Sequence, residues 1–187
     1  MVEFEYASHK TITGPETSSV GPITISPLSL EDESQIVDLI RQNLDSFEEA
    51  GSVLAASFRR LESFYSCYNS PKTIYLVAKG KNHPHPLGGV GIGPLAGLPP
   101  SEGIGEIREL VIDREYRKQG IGGALLEEAI QWAKNQNYKT LYLETTDQMK
   151  PAMRLFRHCG FSPVIDKTKE KEGTTPNFPC YFRLDQL

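Results

Sequence analysis

The chain has 187 residues, 39% of them hydrophobic and 24% charged, with a formal net charge of −4. That length suits one domain with a sizeable core, and the acidic balance disfavours general nucleic-acid binding, which calls for a basic stripe. Three widely spaced cysteines without a CxxC pair, Cys67, Cys159 and Cys180, argue against a disulfide framework and a zinc site, so no metal is expected.

Residues 1–20 are polar and turn-rich. They lack the basic start and apolar run of a signal peptide and read as an extension before a domain over 21–187. No stretch approaches about 18 apolar residues, so no membrane span is expected, and reduced thiols point to a cytoplasmic setting. "ITISPLSLEDESQIVDLIRQ" reads as a strand at Ile23 to Ser26 and a helix capped by Ser29. Its Glu31, Asp32 and Glu33 suit the positive end of the helix dipole, and Ile36, Leu39 and Ile40 recur at helical spacing. A second helix is expected over Glu48 to Tyr68, closed by Pro71, its aromatic positions Phe58, Phe64, Tyr65 and Tyr68 serving as core or pocket wall.

"KTIYLVAKG" and "LGGVGIGPL" read as an antiparallel hairpin around the loop "KNHPHP", in which His83 and His85 are too few for a closed zinc site. "IGEIRELVID" is a strand rich in β-branched residues. The third helix follows a glycine turn and buries Ile121, Leu125, Leu126, Ala129, Ile130 and Ala133. "KTLYLETT" is a strand. "PAMRLFRHCGF" is a helix with Pro151 near its start and Gly160 just past its end. "FSPVI" and "CYFRLDQL" close the chain as strands around a charged loop. The expected fold is a mixed α/β domain in the order β-α-α-β-β-β-α-β-α-β-β.

A strand, a tight glycine turn and a helix make an anion site, because the first amides of a helix have no intrahelical partner and its dipole favours negative charge. In "EYRKQGIGGALLEEAIQWAK", Gly120 and Gly122 would let a phosphate approach the backbone, with Arg117 and Lys118 adding charge. The alternative is a helix start whose glycines serve close packing. A dinucleotide fingerprint fails, since G-x-G-x-x-G would need glycine or alanine where Leu125 stands, and no second parallel strand brings the acidic residue. "GIGPLA", from Gly91 to Ala96, is a decoy, because Pro94, Pro99 and Pro100 prevent a helix there. These departures exclude a dinucleotide-dependent oxidoreductase.

"RKQGIG", residues 117–122, matches the Q/R-x-x-G-x-G/A motif of the GNAT superfamily of acetyl-CoA-dependent N-acyltransferases. Its context from residue 105 to 161 resembles that family's central strand, turn, helix, strand and following helix, and the resemblance covers roughly residues 21–185. It implies a mostly antiparallel central sheet of about six to seven strands with flanking helices, splayed at the central strands. It also implies acetyl-CoA as co-substrate, a small-molecule or protein amine as acceptor, and direct transfer in a ternary complex. The C-terminal strands could support a homodimer.

On this resemblance, the amides of Lys118, Gln119, Gly120, Ile121 and Gly122, with the Arg117 side chain, would hold the pyrophosphate of coenzyme A. Leu110, Val111 and Ile112 would pair with its pantetheine arm as an added strand would. Glu106, 11 residues before Arg117, matches the general base of the histone-acetyltransferase branch and is the first catalytic candidate; Glu109 is the second. Alternation puts these two carboxylates on opposite faces of the strand unless a bulge intervenes, and Glu106 could simply pair with Arg108.

Phe156, beside the cofactor, stands where many members carry a tyrosine that protonates the leaving thiolate, and phenylalanine cannot donate. His158 and Cys159 are near in sequence, but helical spacing sends them to another face. "LET" before Met149 resembles a subset of small-molecule and uncharacterised members, which implies Glu144 as a residue lining the acceptor side; the alternative is a surface strand residue. "NLDSFEEAGS" is acidic in a loop that often shapes that side, which favours a cationic amine. The missing tyrosine also supports an alternative, a degenerate acyl-CoA-binding protein with little catalysis.

Overall fold

The computed structural model describes residues 10–12, 21–44, 57–147, 149–164 and 179–187. The expectations for residues 48–56, for the acidic loop beyond Leu44 and for the charged loop at 165–178 lie outside the described residues.

Alternating apolar residues give β2 (Ile23–Pro27), whose Ile23 and Ile25 are buried. It is followed by α1 (Leu30–Leu44), which buries Ile36, Val37, Leu39 and Ile40 on one face. The Ser29 hydroxyl donates to the Asp32 carboxylate at 2.8 Å, and that carboxylate also takes the Lys79 ammonium at 2.6 Å, which pins the start of α1 to the sheet. The second helix is not continuous. Residues 57–61 are helical, Ser63 leaves helical geometry with φ −145° and ψ 50°, and α2 (Phe64–Tyr68) resumes.

The expected hairpin forms from β3 (Ile74–Gly80) and β4 (Pro86–Pro94), and β5 (Ile104–Ile112) returns antiparallel to β4. Beyond the glycine turn lie α3 (Ile121–Asn135), β6 (Thr140–Thr146), α4 (Lys150–His158), β7 (Ser162–Pro163) and β8 (Pro179–Asp185). Gly160 takes φ 91° just past α4, as its left-handed helix end requires. On α3, Trp132 and Glu128 join the buried side, while Ile130 is only partly buried.

A strand β1 (Lys10–Ile12), among the residues expected to form an extension, pairs with β2. Among the described residues one sheet of eight strands runs in the order β1-β2-β3-β4-β5-β6-β8-β7, and its other strands all follow residue 20. Every pairing is antiparallel except β5 with β6. Two cores cover the sheet's two faces. α3 and α4 pack on one, with Leu76, Val90, Ile92, Ile107, Leu141 and Leu143. α1 and α2 pack on the other, with Tyr75, Val77 and Val111.

Candidate active site

The sheet opens at its centre. β5 and β6 pair from Ile104 and Thr140 only as far as Ile107 and Leu143, although β5 runs on to Ile112 and β6 to Thr146. The facing edges of Arg108 to Ile112 and of Glu144 to Thr146 therefore have no ladder partner in each other. A segment carrying amides could enter there as a strand would. Thr146 points the same way: it is 1% exposed, and its Oγ1 is a buried side-chain polar atom with no hydrogen-bond partner among the described residues. Such a hydroxyl is held at a cost unless something else satisfies it.

Immediately after β5, Asp113 accepts the Glu115 amide and starts a short turn over Arg114–Tyr116. The chain then passes through two left-handed residues, Lys118 with φ 62° and Gly120 with φ 82°, into the N-terminus of α3. A side chain at Gly120 would meet no atom within 4 Å, so the turn is open as well as left-handed there. Gly122 is different. A Cβ on it would sit 3.2 Å from Leu155 and 3.6 Å from Ile112, so that glycine serves the packing of α4 on α3. The packing reading of the turn applies at Gly122, while Gly120 is left with open space beside it. The Arg117 guanidinium folds back, donating from Nε to the Ile112 carbonyl at 3.1 Å and from Nη2 to Asn43 at the end of α1.

A bulge intervenes in β5. Gly89 stands opposite Val111 and Gly91 opposite Arg108, so Val90 alone faces both Glu109 and Leu110. Glu109 takes φ 39°, in the left-handed region. As a result Arg108 and Glu109, though adjacent, both lie on the α1/α2 face, and Leu110 and Ile112 pack on the other. Glu106 shares the face of Arg108, so the two candidate carboxylates come to one side after all.

They differ in surroundings. Glu106 is 21% exposed and receives Arg108 Nε on Oε2 at 2.8 Å; its Oε1 has no hydrogen bond among the described residues. The pairing with Arg108 foreseen for it is therefore real, and it leaves one oxygen open. Glu109 is 1% exposed. Its Oε1 accepts from Ser57 at 2.9 Å, from Arg60 Nε at 2.8 Å and from Arg60 Nη2, and its Oε2 accepts from Tyr68. The Tyr75 hydroxyl donates to the Glu109 carbonyl at 3.0 Å. Burial, and then the adjacent carboxylate, push both phenols well above the ordinary tyrosine value. Burial opposes the Arg60 charge, yet Glu109 beside it more than offsets that and raises its pKa.

The glycine run that mimicked a phosphate loop has another purpose. Gly89, Gly91 and Gly93 alternate on the α1/α2 face of β4. A Cβ on each would strike, in turn, the Tyr75 ring, the Tyr68 ring and the Arg108 guanidinium. The glycines are a floor on which those three side chains lie. Tyr68 and Tyr75 stack edge-on with Phe64, with ring centroids 4.8–5.2 Å apart. Tyr68 was read from sequence as core or pocket wall. Nothing in the sequence marked Ser57 or Arg60, whose partner lies 52 and 49 residues away.

Glu106 stands beside Tyr142 in the parallel ladder, and alternation along β6 puts Tyr142, Glu144 and Thr146 on the same face as Glu106. Glu144 thus shares the face of Glu106. Phe156 is 6% exposed, with its ring 5.9 Å from Phe182 and 6.3 Å from Phe161, inside the α3/α4 core. His83 lies against Tyr116, ring nitrogen to hydroxyl at 2.8 Å. No cluster of three or more His, Cys, Asp or Glu side chains that could hold a metal occurs among the described residues, and no helix among them is long and apolar enough to cross a membrane.

The family model described as "Acetyltransferase (GNAT) family" matches residues 38–161. Over 176 residues the chain is 29% identical to an uncharacterized N-acetyltransferase of Schizosaccharomyces pombe, covering 91% of this chain and 96% of that one. It is also 29% identical to the uncharacterized N-acetyltransferase YjgM of Escherichia coli, over 84% of this chain and 90% of the relative. The GNAT-family acetyltransferase structure from Staphylococcus aureus Mu50 aligns with a TM-score of 0.68 at 18% identity, over 87% of this chain and 98% of that one. That from Streptococcus pneumoniae aligns at 0.65 and 22%, over 87% and 99%. These structural likenesses are likenesses of fold, and they match the mixed, mostly antiparallel, splayed sheet with flanking helices. Nothing in the comparisons favours the degenerate binding-protein alternative.

Proposed function

Since the chain belongs to the acetyltransferase (GNAT) family, we propose that it moves an acetyl group from acetyl-CoA to a primary amine, by direct transfer in a ternary complex. The observation that carries this reading is the opening between β5 and β6, which ends at the left-handed turn into α3.

The residues fit that donor. The unladdered edge at Leu110, Val111 and Ile112 suits an amide-bearing pantetheine arm, and the orphaned Thr146 hydroxyl gives such an arm a polar partner. The turn from Lys118 through Gln119 and Gly120 to Ile121 and Gly122 opens a helix whose first amides lack intrahelical partners, with open space over Gly120. Arg117 adds positive charge there, and its contacts to Ile112 and Asn43 hold the turn's approach.

The acceptor enters on the α1/α2 face, where Glu106, Tyr142 and Glu144 share one side of the sheet. A lysine-like amine, with pKa about 10.4, is neutral only about once in 2,500 at pH 7, a deficit worth up to ~4.6 kcal/mol. Glu106 is the carboxylate placed to relieve it, through the oxygen that Arg108 leaves open. The amine nitrogen attacks the thioester carbon, the C–S bond breaks, and the surplus proton on nitrogen passes to Glu106. Phe156 offers only an apolar ring, so the departing thiolate takes its proton from water.

Calorimetry with acetyl-CoA, followed by thiol release against a panel of amines, tests the proposal. Acetyl-CoA binding with amine-dependent thiol release is the expected result. Binding without release from any amine would overturn the enzymatic reading, and absence of binding would overturn the donor site.

A further inference from the structure

Glu109 is a non-glycine residue in the left-handed region in the middle of a strand, a conformation that costs about 1–3 kcal/mol and persists only where its surroundings over-determine it. Here they do. Ser57 and Arg60 hold one carboxylate oxygen, Tyr68 holds the other, and Tyr75 holds the carbonyl. Tyr68 and Tyr75 are in turn fixed by Phe64 and by the glycine floor of β4. The carboxylate is 1% exposed, with both oxygens already accepting hydrogen bonds. A group so enclosed is poorly placed to collect a proton from an amine and well placed to hold backbone.

We propose that Glu109 is a positioning residue, and that its clamp to Ser57, Arg60 and Tyr68 sets the β5 bulge at the mouth of the opening between β5 and β6. Residues 57–68 of the α1/α2 face thereby govern the backbone of Leu110 and Val111, which borders the opening. This rests on the acetyl-transfer reading only for its kinetic consequence. The clamp's effect on the bulge does not depend on it.

The variants Arg60→Met, Arg60→Lys, Tyr68→Phe and Glu109→Gln are compared for kcat, for KM toward acetyl-CoA, for the pH dependence of kcat, and for amide hydrogen exchange at Leu110 and Val111 without substrates. A misplaced reacting geometry lowers kcat by about 10- to 100-fold in Arg60→Met, with KM for acetyl-CoA held within about twofold. Arg60→Lys recovers part of the loss. Exchange at Leu110 and Val111 quickens in Arg60→Met and Tyr68→Phe. Glu109→Gln lowers kcat and leaves the acidic limb of the pH profile in place.

Loss of that acidic limb in Glu109→Gln would make Glu109 the base and overturn the proposal. Unchanged exchange at both amides in Arg60→Met and Tyr68→Phe would overturn it too. If Arg60→Met fails to fold, Tyr68→Phe, which removes a single oxygen, carries the same readings. An enzyme silent toward every amine would defeat the acetyl-transfer reading, while the exchange measurement would still decide the clamp.

Discussion

The ring of Tyr68 occupies the space that a side chain at Gly91 would fill, and from there its hydroxyl reaches the carboxylate of Glu109. The pair explains why a strand of the central sheet carries so many glycines. Glycine weakens a strand by itself; in β4 it admits an aromatic ring close to the backbone and so brings a donor from α2 to the bulge of β5.

Gly91→Ala therefore acts through Tyr68. The new methyl overlaps a ring that is 6% exposed and packed against Phe64 and Tyr75, so the ring must move. Overpacking of this kind destabilises by about 1–3 kcal/mol. Urea denaturation should show a lowered midpoint with an unchanged slope. A midpoint equal to the parent's would mean that the ring has room to shift.

Alkaline stability reads the same cluster. Burial, and then Glu109, raise the folded pKa of Tyr68 and of Tyr75, and burial raises that of Tyr138 to about 12. Below the unfolded tyrosine value of about 10, both states keep these protons and the contribution is fully present. Above it, the unfolded chain ionises first, so stability falls as pH climbs toward the raised folded values. Denaturation midpoints followed from about pH 9 upward should decline less steeply in Tyr68→Phe than in the parent, since one of these protons is gone. Parallel slopes would contradict this.

Glu106→Gln removes the proposed proton acceptor but keeps one oxygen for Arg108. Turnover should fall by about 10²- to 10⁴-fold, the usual worth of a positioned base, with acetyl-CoA affinity nearly intact by calorimetry. Unchanged turnover would remove Glu106 from the mechanism.

The two glycines of the turn should separate cleanly. Gly120→Ala forces a Cβ into φ 82°, which costs about 1–2 kcal/mol and displaces the amides that follow. Its signature is weakened acetyl-CoA binding. Gly122→Ala brings a Cβ to 3.2 Å from Leu155, so its signature is a stability change coupled to Leu155, with acetyl-CoA binding unaltered. A double-mutant cycle on thermal unfolding measures that coupling.

Thr146→Val replaces a buried hydroxyl, without a partner among the described residues, with a methyl. Without ligand the variant should be more stable, by up to about 1–3 kcal/mol, because the unsatisfied group is gone. If that hydroxyl serves the pantetheine arm, affinity for acetyl-CoA should fall in the same variant. Equal affinity would assign the hydroxyl no role in binding.

Much of the architecture was legible along the chain. Periodicity in 23–44 and 121–135, β-branched runs in β3 and β5, and Pro151 with Gly160 around α4 marked the elements within a residue or two. These signals are local: each depends on neighbours within one or two turns or on strand alternation. The turn at Gly120 was legible for the same reason, since the strand, glycine and helix that build it are contiguous. The break at Ser63 was not, because the apolar spacing of the second helix continues through it.

The sequence alone thus determined the order of elements from β2 onward, the glycine turn into α3 and the two carboxylates of β5. The tertiary structure decided where those carboxylates sit and what surrounds them. A bulge registered against β4 turned Glu109 to the face of Glu106, and side chains 34 to 52 residues away then enclosed it. It also gave Gly120 open space and Gly122 a packing partner, though the two look alike in the chain. The physical reason is common to both. Strand register and the approach of one helix to another are set by burying two whole cores at once, and no local pattern carries that information.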